Sequence, residues 1–186
     1  MRINQDKLQK LAQKVHYNAI AHGWHDEKKS DEHWLCMIMT EVAEAVEADR
    51  KQKRACRDMF EREIGNLQLE NYREKHWVLC FEKFIKDTLE DEFADICIRI
   101  FDFAYEKFGD GMRWFSCRVR IYENWSFTDT AYYIVHDILN SGMMNLSELV
   151  EFMYEWATML CIDLDWHIKA KMSYNETRPY KHNKEY

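Results

Sequence analysis

The residues with chemistry in them form two carboxylate pairs. Glu41-Val42-Ala43-Glu44 and Glu92-Phe93-Ala94-Asp95 each set two acidic side chains three positions apart inside a strongly apolar stretch. On an α-helix, positions i and i+3 are neighbours on one face. Two such helices packed side by side bring four carboxylates into one cleft. A cluster of hard oxygen donors suits Mg²⁺ or Mn²⁺, and Mg²⁺ most often works on phosphate-bearing substrates. A single acidic pair at this spacing is also the ordinary make-up of a solvated helix face, and Glu44 and Glu47 can serve the basic Arg50 and Lys51 that follow. What sets these two pairs apart is matching geometry. With a helix advancing about 100° per residue, each pair falls on the same flank of its own apolar stripe. Those stripes are Ile38, Val42, Ala45 and Val46 in one case and Phe93, Ile96, Cys97 and Ile100 in the other.

A third group lies near the end of the chain. Lys171 and Asn175 are four apart and share a helical face, with Arg178 one turn further on. Lys and Arg match phosphate oxygens, and Asn reads a base or sugar edge or holds a phosphate. The plainer reading is that the cations complement the negative end of a helix dipole. Between 169 and 184 the chain carries Lys169, Lys171, Arg178, Lys181, His182 and Lys184 against Glu176 alone. Trp24, just ahead of the first acidic helix, is placed either to stack on a base or to pack at a helix–loop junction.

The elements that must position these residues are helices. Only 5 Gly and 1 Pro occur in 186 residues, which leaves too few turn formers for a β-rich or α/β fold. The spacing of apolar residues predicts a helix over 4–22, with Gly23 suited to its C-terminal cap, and a polar loop over 24–29. Ser30 or Asp31 caps a second helix to about 53. A charged segment over 54–74 reads as helix with a break at Gly65-Asn66. A long helical stretch follows over 74–108, with an interruption near 86–89 and a stop at Gly109-Asp110-Gly111. Within 112–125, Val119, Arg120, Ile121 and Tyr122 fit a short strand or a helix. A helix over 128–140 comes next, and a last helix, capped by Asn145 with Glu148 in a capping box, is expected to run unbroken to about 174. The expectation is one all-α domain over 1–186, with 54–88 a helical insertion between the two acidic helices.

Composition narrows the class. At 47% hydrophobic and 15% aromatic residues the chain has ample material for a core. A net charge of −7 argues against a general nucleic-acid binder. No apolar run reaches membrane-spanning length, and the polar, helix-patterned first fifteen residues do not read as a signal peptide. None of the six cysteines forms a CxxC or CxxH pair, so structural zinc is not expected, and most of them sit at helical spacing among apolar residues as small buried hydrophobes would. A reduced, cytoplasmic protein is the resulting expectation.

Taken in order, three blocks resemble the MazG-like nucleoside triphosphate pyrophosphohydrolases of the all-α NTP pyrophosphatase class. His22-Gly23-Trp24 leading into Thr40-Glu41-Val42-Ala43-Glu44 looks like that family's ExxE helix. Asp91-Glu92-Phe93-Ala94-Asp95 looks like its ExxD helix, and Lys171-Met172-Ser173-Tyr174-Asn175-Glu176-Thr177-Arg178 like its K-x-x-Y-N-x-x-R ending. The resemblance implies a MazG-like helical bundle. It implies that Glu41, Glu44, Glu92 and Asp95 hold Mg²⁺ and that Lys171, Asn175 and Arg178 contact the nucleotide. It implies cleavage of a nucleoside triphosphate to a monophosphate and pyrophosphate, by a homodimer or homotetramer. Glu41 or Glu44 would orient or deprotonate the attacking water. Two departures are visible: Thr40 stands where the family often has a leading Glu, and the stretch between Glu44 and Glu92 is longer than in compact members.

Two rival classes fit parts of the pattern. A carboxylate-bridged di-iron protein would want ExxH on paired helices, but the third residue after Glu44 is Glu47 and after Glu92 is Asp95. A non-catalytic helical interaction module would use the many aromatics as a partner surface. His33, His136 and His167 read as surface or packing residues.

Overall fold

The computed structural model describes residues 4–65, 73–115, 121–141 and 146–183. They form eight α-helices and no strand among the described residues, which makes the chain all-α. The helices are α1 (Gln5–Ala21), α2 (Asp31–Arg50), α3 (Arg57–Gly65), α4 (Arg73–Phe84), α5 (Leu89–Phe108), α6 (Phe127–Ser141), α7 (Leu146–Met159) and α8 (Leu164–Glu176). No described helix is long and apolar enough to cross a membrane.

Local chemistry sets the helix ends. Asn4 caps α1 by accepting from Lys7 N, Ser30 caps α2 by accepting from His33 N, and Thr88 caps α5 by accepting from Asp91 N. Such side chains satisfy amides that a helix leaves unpaired, at about 1 kcal/mol each. Gly23 ends α1 in the left-handed region at φ 79°, and a Cβ there would collide with the Tyr180 ring. Glycine is needed at that point for both reasons. The α2 helix stops at Arg50, three residues short of the expected 53, because Gln52 turns left-handed at φ 55°.

The last helix is not continuous. It breaks between Met159 and Leu164, where Cys161 takes a positive φ of 58° and Asp163 caps a new helix by accepting from Trp166 N. The apolar periodicity runs through this turn, so periodicity alone does not reveal it. The expected break at Gly65 falls at the end of α3, with Asn66 outside the described residues. Val119, Arg120 and Asn145 also lie outside them, and Ile121 and Tyr122 adopt neither helix nor strand.

The α5 helix is the axis of the fold. It packs against α1, α2, α7 and α8, and thirteen of its twenty residues are buried. Its Phe93, Ile96, Ile100 and Phe103 join Ile38, Val42 and Ala45 of α2, Leu8 and Val15 of α1, and Phe152 and Trp156 of α7 in the main core. The α3–α4 pair, between the two acidic helices, folds as a hairpin. It builds a second apolar cluster from Phe60, Phe81 and Ile85 against Ala170 and Tyr174 of α8. Tyr174 stacks on Phe81 at 4.6 Å. This cluster anchors α8 beside α5, which matters for the site.

Of the described cysteines, all free, Cys80 and Cys97 are buried, but Cys36, Cys56 and Cys161 are exposed. Burial therefore accounts for only two of them.

Candidate metal and phosphate site

The α2–α5 packing carries the two acidic pairs toward each other. One carboxylate oxygen each from Glu41, Glu44 and Glu92 lies within 4.8 Å of the others. Glu41 and Glu92 are buried and Glu44 is exposed, as expected for a pair flanking the apolar stripe of α2. Asp95, one turn along α5, is half-buried in the same cleft. All eight residues singled out in the sequence line one cavity of about 290 Å³: Trp24, Glu41, Glu44, Glu92, Asp95, Lys171, Asn175 and Arg178. Residues 130 positions apart in the chain meet there because α8 lies against α5 and the segment after α8 folds back over the α1–α2 loop. Lys181 N donates to His22 O over 2.8 Å, and the Tyr180 hydroxyl bonds Asp26.

Lys171 reaches the cleft in a way neither sequence reading foresaw. Its ammonium lies 2.8 Å from Asp91 Oδ2 and 2.6 Å from Asp95 Oδ2, with all three groups largely shielded from solvent. It stands in the body of α8 rather than in the last turn, so the helix-dipole reading does not apply. Nor is it a freely reaching cation. It cross-links α8 to α5 and takes up the charge of Asp95. Arg178 sits just past the Thr177 C-cap, 5.7 Å over the Tyr174 ring. Asn175 Oδ1 is buried and has no hydrogen-bond partner among the described residues. An unpaired buried acceptor costs about 1–3 kcal/mol, so a donor other than the described residues, such as water or a ligand, is wanted there.

The other polar groups of the cleft were not picked out from the sequence. Arg99 Nε donates to Glu41 Oε1 over 3.0 Å, and its guanidinium lies 5.9 Å from the Trp24 ring. Lys86 and Asp102 line the same cavity, and Asp91 is buried behind it. A signal for Arg99 and Asp102 is present in the chain: Glu92, Asp95, Arg99, Asp102 and Glu106 recur at spacings of three and four through an otherwise apolar helix. That is one polar line along a buried surface, and polar groups in such a line must find partners. Asp91 joins through its four-residue spacing from Asp95.

The electrostatics describe a site short of positive charge. Burial, reinforced by Asp95 and opposed by Arg99, pushes the Glu41 carboxyl up to about 7. Burial, with Asp95 and Asp91 adding to it, pushes Glu92 up to about 9. Asp91 is raised to about 6 by burial, even against the pull of Lys171. Burial disfavours the Lys171 charge, but Asp95 and Asp91 outweigh it and hold the ammonium above its ordinary value. Carboxylates crowded this way hold their protons until a cation arrives.

Those features test whether a divalent ion fits. Asp91 is already committed to Lys171 and to the amide of Asp87 at 3.0 Å, which disfavours the alternative group Asp87, Asp91 and Glu92. Glu41, Glu44 and Glu92 offer hard oxygens at mutual distances that one ion can span, and Glu44 is in no ion pair with a described residue. A hard divalent cation fits this donor set. Fold and site together define an all-α protein with a carboxylate-lined, cation-rimmed cleft. Compared with known proteins, the chain matches no protein-family model, no curated protein and no solved structure.

Proposed function

We propose that the protein is a Mg²⁺-dependent nucleoside triphosphate pyrophosphohydrolase, cleaving its substrate to a nucleoside monophosphate and pyrophosphate. The observation that carries this reading is the convergence of Glu41, Glu44 and Glu92 with Lys86, Arg99 and Arg178 around one cavity. Acids and cations together are what a metal-chelated polyphosphate requires. The resemblance of the three sequence blocks to MazG-like enzymes points the same way.

In this reading Glu41, Glu44 and Glu92 hold the ion, Mg²⁺ or Mn²⁺, with Asp95 beside them. When bound, the ion neutralises charge developing on the phosphate oxygens. Arg178 and Lys86 grip the polyphosphate from the rim. Arg99 holds Glu41 in place. Glu44, exposed and in no ion pair with a described residue, keeps its second carboxylate oxygen for the attacking water, which it orients toward the α-phosphorus, and pyrophosphate leaves. The buried Asn175 Oδ1, an acceptor, suits a sugar hydroxyl or a base amine better than a phosphate oxygen. The base has a place beside Trp24, where a smaller crevice bounded by His33, Trp34 and Met37 adjoins the main cavity.

Pyrophosphate release from a panel of ribo- and deoxyribonucleoside triphosphates, with and without Mg²⁺, tests the reading. Mg²⁺-dependent release of equal monophosphate and pyrophosphate is expected. No release from any nucleotide would favour a non-catalytic interaction module instead.

A further inference from the structure

The far end of the polar line on α5 carries a second constellation. His16 of α1, His25 of the loop after α1, and Asp102 and Glu106 of α5 meet there. Asp102 Oδ1 lies 2.9 Å from His16 Nδ1 and 2.8 Å from His25 Nε2. The opposite ring nitrogens face the second acid: His25 Nδ1 is 3.2 Å and His16 Nε2 3.7 Å from Glu106 Oε2. The rings stand 4.5 Å apart, edge to face, and Trp34 stacks on His25 at 5.0 Å. Side-chain exposure is 9% for His16, 10% for His25 and 6% for Asp102, against 41% for Glu106. The cluster is therefore a buried device with one acid facing water.

Donor and acceptor roles make the arrangement informative. An ionised carboxylate only accepts, so both nitrogens facing Asp102 carry N–H. In a neutral imidazole the other nitrogen is then a lone pair. Those two lone pairs face Glu106 Oε2, itself an acceptor. Three acceptors turned toward one another repel unless positive charge stands between them, either a bound cation or a second proton on His25, which burial opposes but Asp102 and Glu106 favour more strongly. Donors held at ~2.0–2.2 Å by one zinc-class ion stand roughly 3.0–3.6 Å apart, close to the separations found here. One atom from each of His16, His25 and Glu106 lies within 4.8 Å of the others. Behind them, Asp102 stands as the carboxylate that metal-bound histidines ordinarily contact through their second nitrogen.

We propose that His16, His25 and Glu106 form a second cation site, for a zinc-class transition-metal ion, with Asp102 orienting both imidazoles. Two nitrogens and one oxygen favour Zn²⁺, Co²⁺ or Fe²⁺ over Mg²⁺. Glu106, open to solvent, provides the entry path. Asp102 also lines the carboxylate cleft, so the two sites share a wall. His25 follows Trp24 directly, so an ion here ties the loop at the mouth of the cleft to α1 and α5.

The test is a Zn²⁺ titration of a Glu44→Gln/Glu92→Gln double variant, in which the first site is disabled and no nucleotide is needed. Its outcome is thus independent of the pyrophosphohydrolase reading. One Zn²⁺ per chain is expected by calorimetry, with no corresponding heat from Mg²⁺. Adding Glu106→Gln, at an exposed position where folding is not at stake, is expected to weaken Zn²⁺ at least about tenfold, and His25→Asn likewise. In ¹⁵N-histidine spectra, the His16 Nε2 and His25 Nδ1 signals should shift on Zn²⁺ addition while their partner nitrogens keep their protons. Absence of Zn²⁺ uptake, or uptake indifferent to Glu106→Gln, would overturn the proposal. So would a His25 that stays doubly protonated in excess Zn²⁺ at neutral pH, since a proton would then be the cation in the gap.

Discussion

Lys171 of α8 lies 2.6 Å from Asp95 of α5, and the same ammonium reaches Asp91 at 2.8 Å. Removing it strands two carboxylates in a place where one, Asp91, is only 1% exposed. Breaking a buried ion pair from one side costs about 3–5 kcal/mol. Lys171→Met is expected to lower the unfolding free energy by about that amount in urea, as read from the midpoint at constant slope. A loss under 1 kcal/mol would mean that the cleft admits enough water to solvate the pair. Activity lost along with stability would not by itself identify Lys171 as a substrate contact.

Glu44 separates binding from folding. It is exposed, and its charge adds to the repulsion felt by Glu41 and Glu92. Glu44→Gln is therefore expected to leave the metal-free protein as stable or slightly more stable, while abolishing turnover. Mg²⁺ or Mn²⁺ should raise the melting temperature of the wild type by mass action, and far less that of the variant. Normal turnover in Glu44→Gln would remove this residue from the site.

The pH dependence follows from the raised carboxyls. Glu41 and Glu92 move from an ordinary 4.5 to about 7 and about 9. In each case the folded protein binds the proton more tightly than the unfolded chain does. The associated stability is whole below the ordinary value and is lost as pH rises through the folded one. Metal-free protein should thus become less stable between about pH 5 and pH 9. Glu92→Gln should flatten the upper part of that fall. Saturating Mg²⁺ should oppose it throughout, because the ion binds the ionised carboxylates. Denaturation midpoints at several pH values, with and without Mg²⁺, measure all three; a metal-free midpoint that rises across this range would contradict the burial argument.

Arg178 tests the grip on phosphate without the complication of Lys171. It lies at the rim, beyond the end of α8. A charge-assisted bond to phosphate contributes about 1.5–3 kcal/mol, so Arg178→Ala should lower kcat/KM roughly tenfold or more with little change in stability. The defect should shrink as salt screens the wild-type interaction. Unchanged kinetics at saturating Mg²⁺ would return Arg178 to a purely structural role over Tyr174.

Assembly is the remaining expectation of the resemblance. On α6, Tyr132 and Leu139 are 70% and 69% exposed and lie two turns apart on one face. A homodimer or homotetramer would cover such a strip. Light scattering at micromolar concentration should return a multiple of 22.7 kDa, and the monomer mass would contradict it.

The sequence by itself determined the helical class and most helix ends. Scarce Gly and Pro exclude other folds, and caps such as Asn4, Ser30 and Gly23 act within a few residues of where they stand. It also determined the acidic pairs, because i, i+3 spacing places Glu41 with Glu44 and Glu92 with Asp95 before any packing occurs. The same periodicity carries a polar line through Arg99, Asp102 and Glu106, which the acidic-pair spacing alone does not single out. Only the tertiary structure decided what those groups face. The turn at Cys161 frees α8 to lie along α5, which brings Lys171 to Asp91 and Asp95 across 80 positions of chain. The fold of α1 and its loop onto α5 brings His16 and His25 to one carboxylate. Spacing along a helix is a local property of the backbone, whereas the partner of a buried charge is set by which helices pack together. That choice belongs to the whole core rather than to any short segment of the chain.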